Sequence, residues 1–376
     1  MKIGVPRETG AGEKRVSVVP ESIPKLGEVA VESEAGSLAG FDDSAYLAAG
    51  AKIAPDAQAI YSGSDLVVKI APPSSNEVAL FREGSTLISY LYPMNNVETV
   101  KLLAKKGVTA FALDLMPRIS RAQSMDTLSS QANLAGYKAV LIAADSLPKI
   151  FPLMMTAAGT IAPAKIFVVG AGVSGLQAIA TARRLGALVE AYDVRPAVKE
   201  QVESLGAKFV ELPVQAAEAQ TAGGYAKAQS EEFYRKQTDL LAQRLAGVDV
   251  VISTALVPGK RAPVLISEDA VKGMRPGSVI VDLAAEQGGN CALTEPGKSV
   301  VKHRVLIHGP LNVPSSVAPQ ASLLFSRNVT AYFLAITKNG VLTVDTSNEL
   351  IKGPMVLMKG EVVYEPLKSI IGVGKQ

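Results

Sequence analysis

An apolar run, KIFVV at 165–169, leads straight into Gly170-Ala171-Gly172-Val173-Ser174-Gly175 and then into the helical stretch LQAIATARRLG. A second apolar run ends in Asp193, 18 residues beyond Gly175. A GxGxxG alone is a weak signal. Placed between a strand and a helix, with an acidic residue at the end of the next strand, it narrows the choice to a dinucleotide-binding βαβ unit. The first glycine permits the tight turn. The second lets backbone approach a pyrophosphate, and the third lets helix pack on strand. The helix N-terminus offers unpaired N–H groups and partial positive charge to phosphates. Asp193 stands where a carboxylate accepts hydrogen bonds from ribose hydroxyls and repels a 2′-phosphate, which favours NAD(H) over NADP(H). Arg195, two residues on, complicates this preference because an Arg pairs with that phosphate.

The rest of the chain reads as two such sheets. Runs at 2–5, 29–32, 66–70, 86–90 and 109–113 predict strands. A helix is expected over 97–106, stopping at Gly107. A second series of strands is expected at 165–169, 188–192, 208–210, 250–253, 278–282 and 305–307. The fold class is therefore α/β: two Rossmann-like parallel-sheet domains separated by a cleft. A polar helical stretch over about 120–144 connects them. A long helix over 318–336 carries the chain back, and a hairpin around Lys359–Gly360 joins the tail to the first domain. The expected division is 1–128 with 312–376, a discontinuous first domain, and 129–311, the nucleotide-binding domain. Residues 213–236, rich in Ala, Gln and Glu with Gly223–Gly224 in the middle, predict a mobile surface excursion.

Several function classes are disfavoured. The chain of 376 residues is 48% hydrophobic and 19% charged, which supports sizeable cores. Its net charge of +3 comes without a basic block, so nucleic acid is not the expected partner. One Cys and two His, Cys291, His303 and His308, rule out a zinc ribbon or a three-His metal site. The apolar region 150–182 is long enough to span a bilayer. Pro152, Pro163 and its glycines cut it into a loop, a buried strand and a helix instead. No targeting segment is expected at the charged start MKIGVPRETGAGEKR.

A second constellation precedes the glycine loop. It holds Arg118, Arg121, Gln123, Asp126, Ser129, Ser130, Gln131 and Asn133. Helical spacing from Gln123 groups Gln123, Asp126 and Ser130, or Asp126, Ser129 and Asn133. Such a set suits a nicotinamide carboxamide across the cleft. It equally suits a solvated interdomain helix with ordinary caps, and spacing leaves both open.

RISRAQSMDTLSSQANLAGY, GAGVSGLQAIATARRLGA and TAGGYAK closely resemble the NAD(H)-binding subunits of proton-translocating nicotinamide nucleotide transhydrogenases. STALVPGKRAPVLI and VDLAAEQGGNC extend the likeness over nearly the whole chain, and alanine dehydrogenase belongs to the same superfamily. The resemblance implies that Arg118, Ile119, Ser120, Gln123, Asp126 and Ser129 hold the nicotinamide; of these, Gln123 is the residue expected nearest the transfer partner. It implies that Gly170, Gly172, Val173 and Gly175, with Asp193, Val194, Arg195 and Leu256, hold the adenosine half. A mobile loop closes over the nucleotide around Gly224 and Tyr225, with Gln237 beyond it. Arg15 and Lys69 match the residues that hold substrate in alanine dehydrogenase. Tyr90-Leu91-Tyr92 stands where that enzyme needs a catalytic His.

The expected reaction is hydride transfer between NAD(H) on this chain and NADP(H) on a partner subunit. Membrane-spanning subunits would couple it to proton movement. The resemblance also implies a homodimer, soluble when isolated and peripheral on the cytoplasmic side of the inner membrane. Two rivals remain: a free-standing amino-acid dehydrogenase, which the missing His disfavours, and an NAD-sensing module, which the polar run at 118–133 disfavours.

Overall fold

The computed structural model describes residues 1–211, 230–257, 260–338 and 340–371. They form two compact units, Met1–Gln131 with Ser315–Gln376, and Ala132–Pro314.

The first unit is built on an eight-stranded sheet. Its order is Glu361–Val362, Met355–Met358, Thr109–Ala112, Thr86–Ser89, Leu66–Val68, Ile3–Val5, Val29–Glu32 and Lys52–Ala54. The six N-terminal strands pair in parallel. Five of these strands are buried along their whole length and are rich in apolar or β-branched residues: Ile3–Val5, Val29–Glu32, Leu66–Val68, Thr86–Ser89 and Thr109–Ala112. That is the signature of a parallel sheet covered on both faces. Lys52–Ala54 was not foreseen. It is an edge strand with only Ala54 buried, so its sequence carries little alternation or apolarity.

The tail completes this sheet. Met355–Met358 runs antiparallel to Thr109–Ala112, and it folds back on Glu361–Val362 through Lys359 and Gly360. Both turn residues lie in the left-handed region, with φ of 47° and 85°. That backbone matches a tight two-residue hairpin. The helix Ala318–Ile336 buries Ala321, Phe325, Val329, Tyr332 and Ile336 at helical spacing. Its Ser322 and Ser326 hydroxyls accept the Val16 and Val19 N–H groups, which fastens the N-terminal segment to it.

The second unit carries a seven-stranded sheet. Its order is Lys208–Phe209, Leu188–Tyr192, Lys165–Val169, Val250–Ser253, Val279–Asp282, Val305–His308 and Ser299–Lys302. All pairs are parallel except the last, where the edge strand Ser299–Lys302 was not foreseen. Its burial alternates between exposed and half-buried, so no apolar run marks it.

Three expectations need correction. The stretch 120–144 is not one helix: a 3₁₀ turn, Ser120–Met125, precedes the helix Thr127–Ser146. The break is at Asp126, with ψ of 89°. The loop expected ahead of the 165–169 strand contains a two-stranded hairpin, Met154–Thr156 with Gly159–Ile161. Both of its strands are exposed, against the rule that apolar runs are buried. Residues 231–236 belong to the helix Glu231–Leu245, capped by the Ser230 hydroxyl, rather than to a surface excursion. The remainder of that expected excursion, with Gly224 and Tyr225, lies outside the described residues.

Candidate nucleotide-binding site

In the second unit the chain leaves Lys165–Val169 for the two strands on one side, then returns to Val250–Ser253 on the other. Lys165–Val169 therefore borders the topological switch point. Ligands bind there, outside the carboxyl ends of the strands. Two loops leave those ends, the glycine loop at 170–175 and residues 254–257.

The three glycines do different work. Gly170 has φ of +95°, and a Cβ on it would lie 2.9 Å from the Thr254 Oγ1. A Cβ on Gly175 would lie 1.8 Å from the Gly170 carbonyl oxygen. Both positions are closed to any side chain by the protein itself. Gly172 differs: its φ is −76°, and no atom lies within 4 Å of where its Cβ would point. It is the N-cap of the helix Val173–Arg184, and no side chain caps that end. The first-turn N–H groups thus have no side-chain cap, and the positive end of the helix dipole lies beside the open space at Gly172. This fits a pyrophosphate approaching backbone at Gly172.

Asp193 is buried at the end of its strand. Its Oδ2 accepts the Ala171 N–H at 2.7 Å and an Arg195 guanidinium N–H at 2.8 Å. Its Oδ1 accepts the Arg195 backbone N–H at 2.9 Å and Nε at 2.8 Å. The carboxylate thus ties the glycine loop to its own strand end. Arg195 neutralises its charge and occupies acceptor directions that ribose hydroxyls were expected to use. Val194 is half-buried beside it, and Leu256 is exposed. Gln237 is buried and donates to the Tyr192 hydroxyl at 2.8 Å.

In the first unit, Arg118, Ser120 and Gln123 are exposed and Ile119 is half-buried. Asp126 Oδ1 accepts the Ser129 N–H at 2.9 Å, and Oδ2 accepts its hydroxyl at 2.6 Å. That makes Asp126 the N-cap of the helix Thr127–Ser146. The shared helical face that the spacing predicts for Gln123, Asp126 and Ser130 does not form, because Gln123 sits in the preceding 3₁₀ turn. The cap residue needs non-helical backbone, so the helix cannot begin upstream of it. Gln131 is buried, accepting from Arg15 Nη1 at 2.8 Å and donating to the Ala321 carbonyl at 3.0 Å.

Arg15 and Lys69 are both buried against the chain's own carboxylates. Arg15 pairs with Glu13 through Nε at 2.8 Å and Nη2 at 2.6 Å. Burial raises the Glu13 carboxyl, but hydrogen bonds and charge from Arg15 outweigh it and bring the pKa down to about 2. Lys69 bonds Glu77 at 2.8 Å and lies 3.6 Å from Glu8. Burial dominates at Glu8 and pushes its carboxyl above the usual range. Burial likewise pushes the Tyr90 hydroxyl well above its ordinary value, so it offers no acid or base near neutral pH. Both histidines are in the second unit: His303 pairs with Glu268, and His308 lies between the Ser299 and Ser146 hydroxyls. Among the described residues, no group of three or more His, Cys, Asp or Glu is placed to hold a metal ion. No described helix is long and apolar enough to cross a membrane.

Two family models match the chain. The model described as alanine dehydrogenase/PNT, N-terminal domain, covers residues 4–135, and its C-terminal counterpart covers residues 139–365. A curated relative from Rhodospirillum rubrum, named as the first part of an NAD(P) transhydrogenase subunit alpha, is 51% identical over 98% of this chain and 99% of its own length. The alanine dehydrogenase of Bacillus subtilis is 30% identical over 99% of this chain and 95% of its own. The crystal structure of a transhydrogenase from Sinorhizobium meliloti superposes with a TM-score of 0.87 at 44% identity. It covers 96% of this chain and all of that one.

Proposed function

The chain belongs to the alanine dehydrogenase/PNT family, and we propose that it is the NAD(H)-binding subunit of a proton-translocating transhydrogenase. It passes a hydride between NAD(H) on this chain and NADP(H) on a partner subunit. Membrane-spanning subunits of the same complex couple the transfer to proton movement. They hold this chain, as a homodimer, on the cytoplasmic side of the inner membrane.

The observation that carries the nucleotide assignment is the open space at Gly172 above an uncapped helix N-terminus, between two glycines the protein itself closes. Gly170, Gly172, Val173 and Gly175 take the pyrophosphate on backbone N–H groups. Asp193, Val194, Arg195, Leu256 and Gln237 serve the adenosine half, with Gly224 and Tyr225 closing over it. In the first unit Arg118, Ile119, Ser120, Gln123, Asp126 and Ser129 orient the nicotinamide.

When bound, the nicotinamide gives or takes the hydride. The side chains have no proton to move, because transfer between two nicotinamides is balanced without one. What they must supply is ring-to-ring approach within about 3–3.5 Å and exclusion of water. A site of amide, hydroxyl, carboxylate and guanidinium groups serves that purpose. The proton-neutral Tyr90, and histidines that are engaged with Glu268 and with the Ser299 and Ser146 hydroxyls of their own unit, disfavour an amino-acid dehydrogenase, which must manage its substrate's proton.

The test is direct. The purified chain mixed with NADH and an NADP analogue gives no turnover, and addition of the soluble NADP(H)-binding subunit starts it without membrane. Robust NADH oxidation by pyruvate or another small keto acid, with no partner present, overturns the reading in favour of the dehydrogenase.

A further inference from the structure

The second loop at the switch point, residues 254–257, is held from behind by one buried side chain. Asn290 is 0% exposed. Its Oδ1 accepts the Ala255 N–H at 2.9 Å, and its Nδ2 donates to the Ala255 carbonyl at 2.8 Å. A side-chain amide thus pairs with both polar groups of one residue, as a neighbouring strand would. The second Nδ2 hydrogen goes to the Pro263 carbonyl at 2.8 Å. The Asn290 carbonyl accepts from Leu265 and Ile266, at 2.8 and 3.0 Å.

Asn290 is itself fixed by Asp282, which is also 0% exposed. Asp282 Oδ2 accepts the N–H groups of Asn290 and Cys291, at 2.8 and 3.0 Å, and the Thr294 hydroxyl at 2.6 Å. Its Oδ1 takes the Ser253 hydroxyl and the Ala284 N–H. The chain reaches this arrangement through Gly288 and Gly289, both in the left-handed region. A Cβ at Gly289 would stand 2.8 Å from Asp282 Oδ2. At its other end the 254–257 loop is tied to the glycine loop. Thr254 Oγ1 donates to the Gly170 carbonyl at 2.9 Å, and its N–H donates to Val169 at 2.8 Å.

We propose that Asn290 is a positioning residue for NAD(H) binding: it sets the backbone of 254–257 so that this loop and the glycine loop present one rigid surface to the nucleotide. Asn290 lies under the loop with its amide fully used and touches no ligand itself. Preorganisation of this kind depends on a fully satisfied supporting shell. The proposal rests on the nucleotide reading of the site. Because 254–257 adjoins the adenosine half, loss of Asn290 should weaken ground-state binding and leave the transfer step alone.

Asn290→Asp is isosteric. It keeps an acceptor for the Ala255 N–H but loses both donors and turns a carboxylate toward two carbonyl oxygens. The dissociation constants of NADH and of ADP-ribose should both rise about tenfold or more. Hydride transfer at saturating NADH, with the NADP(H)-binding subunit present, should stay within about threefold. Thr254→Val cuts the other tie and should weaken both ligands in the same direction, so the test survives if Asn290→Asp does not fold. Val271→Ala, in the buried core of the same unit, controls for general loss of stability and should leave both constants unchanged. A folded Asn290→Asp chain, or Thr254→Val alone if the former is unfolded, with NADH affinity within twofold of the unsubstituted chain overturns the proposal. Equal weakening by Val271→Ala also overturns it, because the effect is then merely structural. An unsubstituted chain without measurable NADH affinity overturns the nucleotide reading itself, and the inference with it.

Discussion

Gly172→Ala separates a glycine kept for a ligand from one kept for the fold. The added methyl meets no protein atom within 4 Å, and φ of −76° is ordinary for alanine. Ala is a poor N-cap, which costs up to about 1 kcal/mol. Lower entropy of the unfolded chain returns roughly 0.4–1 kcal/mol. The net change should therefore lie within about 1 kcal/mol, a Tm shift of roughly 2–4 °C for a unit of this size. Gly175→Ala meets the opposite situation, with its methyl 1.8 Å from the Gly170 carbonyl oxygen. Strand and helix must separate there, costing about 3 kcal/mol or more. Pyrophosphate needs the space that the Gly172→Ala methyl fills. NADH affinity should fall at least tenfold, about 1.4 kcal/mol, in a protein that melts nearly normally. Calorimetric melting and NADH fluorescence titration on both variants decide it. Gly172→Ala with normal melting and NADH affinity within twofold of the parent would refute the cradle, since the open space would then hold nothing.

Gln123→Asn shortens an exposed amide by one methylene, and single-turnover hydride transfer should slow strongly while NADH affinity stays within a few-fold; parallel losses in both would make Gln123 a binding residue only. Arg195→Ala leaves the Asp193 charge without its guanidinium partner, so the ratio of NADPH to NADH dissociation constants should widen by about tenfold, and an unchanged or narrower ratio speaks against charge control at this site. Glu13 has its pKa lowered to about 2 in the fold, so the stabilisation it adds is present above about pH 4.5 and is lost as pH falls through about 2. Glu13→Gln should accordingly cost on the order of 3 kcal/mol at pH 7, read from urea midpoints, with the difference from the parent shrinking below pH 4.5; a pH-independent difference would contradict the Arg15–Glu13 pairing.

The nucleotide unit was legible because its signals are local. Four consecutive parts, strand, glycine turn, helix and strand-end acid, each depend on backbone conformation or burial within a few residues. Gly175 is a glycine for a contact made inside that span, and Gly170 for its own φ of +95°, although Thr254, far along the chain, also closes its position. The buried parallel strands were equally plain, as unbroken apolar runs. The edge strand Lys208–Phe209 was legible too, whereas two others at an edge, Lys52–Ala54 and Ser299–Lys302, were not. With one side solvated and no full apolar face, they look like loop.

What the chain wrote into its order of residues was the type of each buried element and the place of the glycine turn. Those follow from side-chain period and from the few residues that tolerate φ above zero. Tertiary structure decided which polar groups meet. Asp193 and Arg195 were both in view, but only the folded strand end turns the guanidinium onto both carboxylate oxygens. Asp126 and Ser129 shared a helical spacing whose use as a cap was one of two open readings until the helix began at Thr127. Asn290 stood in the VDLAAEQGGNC stretch of the resemblance, but nothing in that stretch pointed to a structural role for its amide. Its partners, Ala255 and Pro263, are 35 and 27 residues away. A hydrogen bond needs two atoms within about 3 Å at the right angle. Sequence spacing supplies that only within a turn or a helix, and across strands it is supplied by the packed sheet.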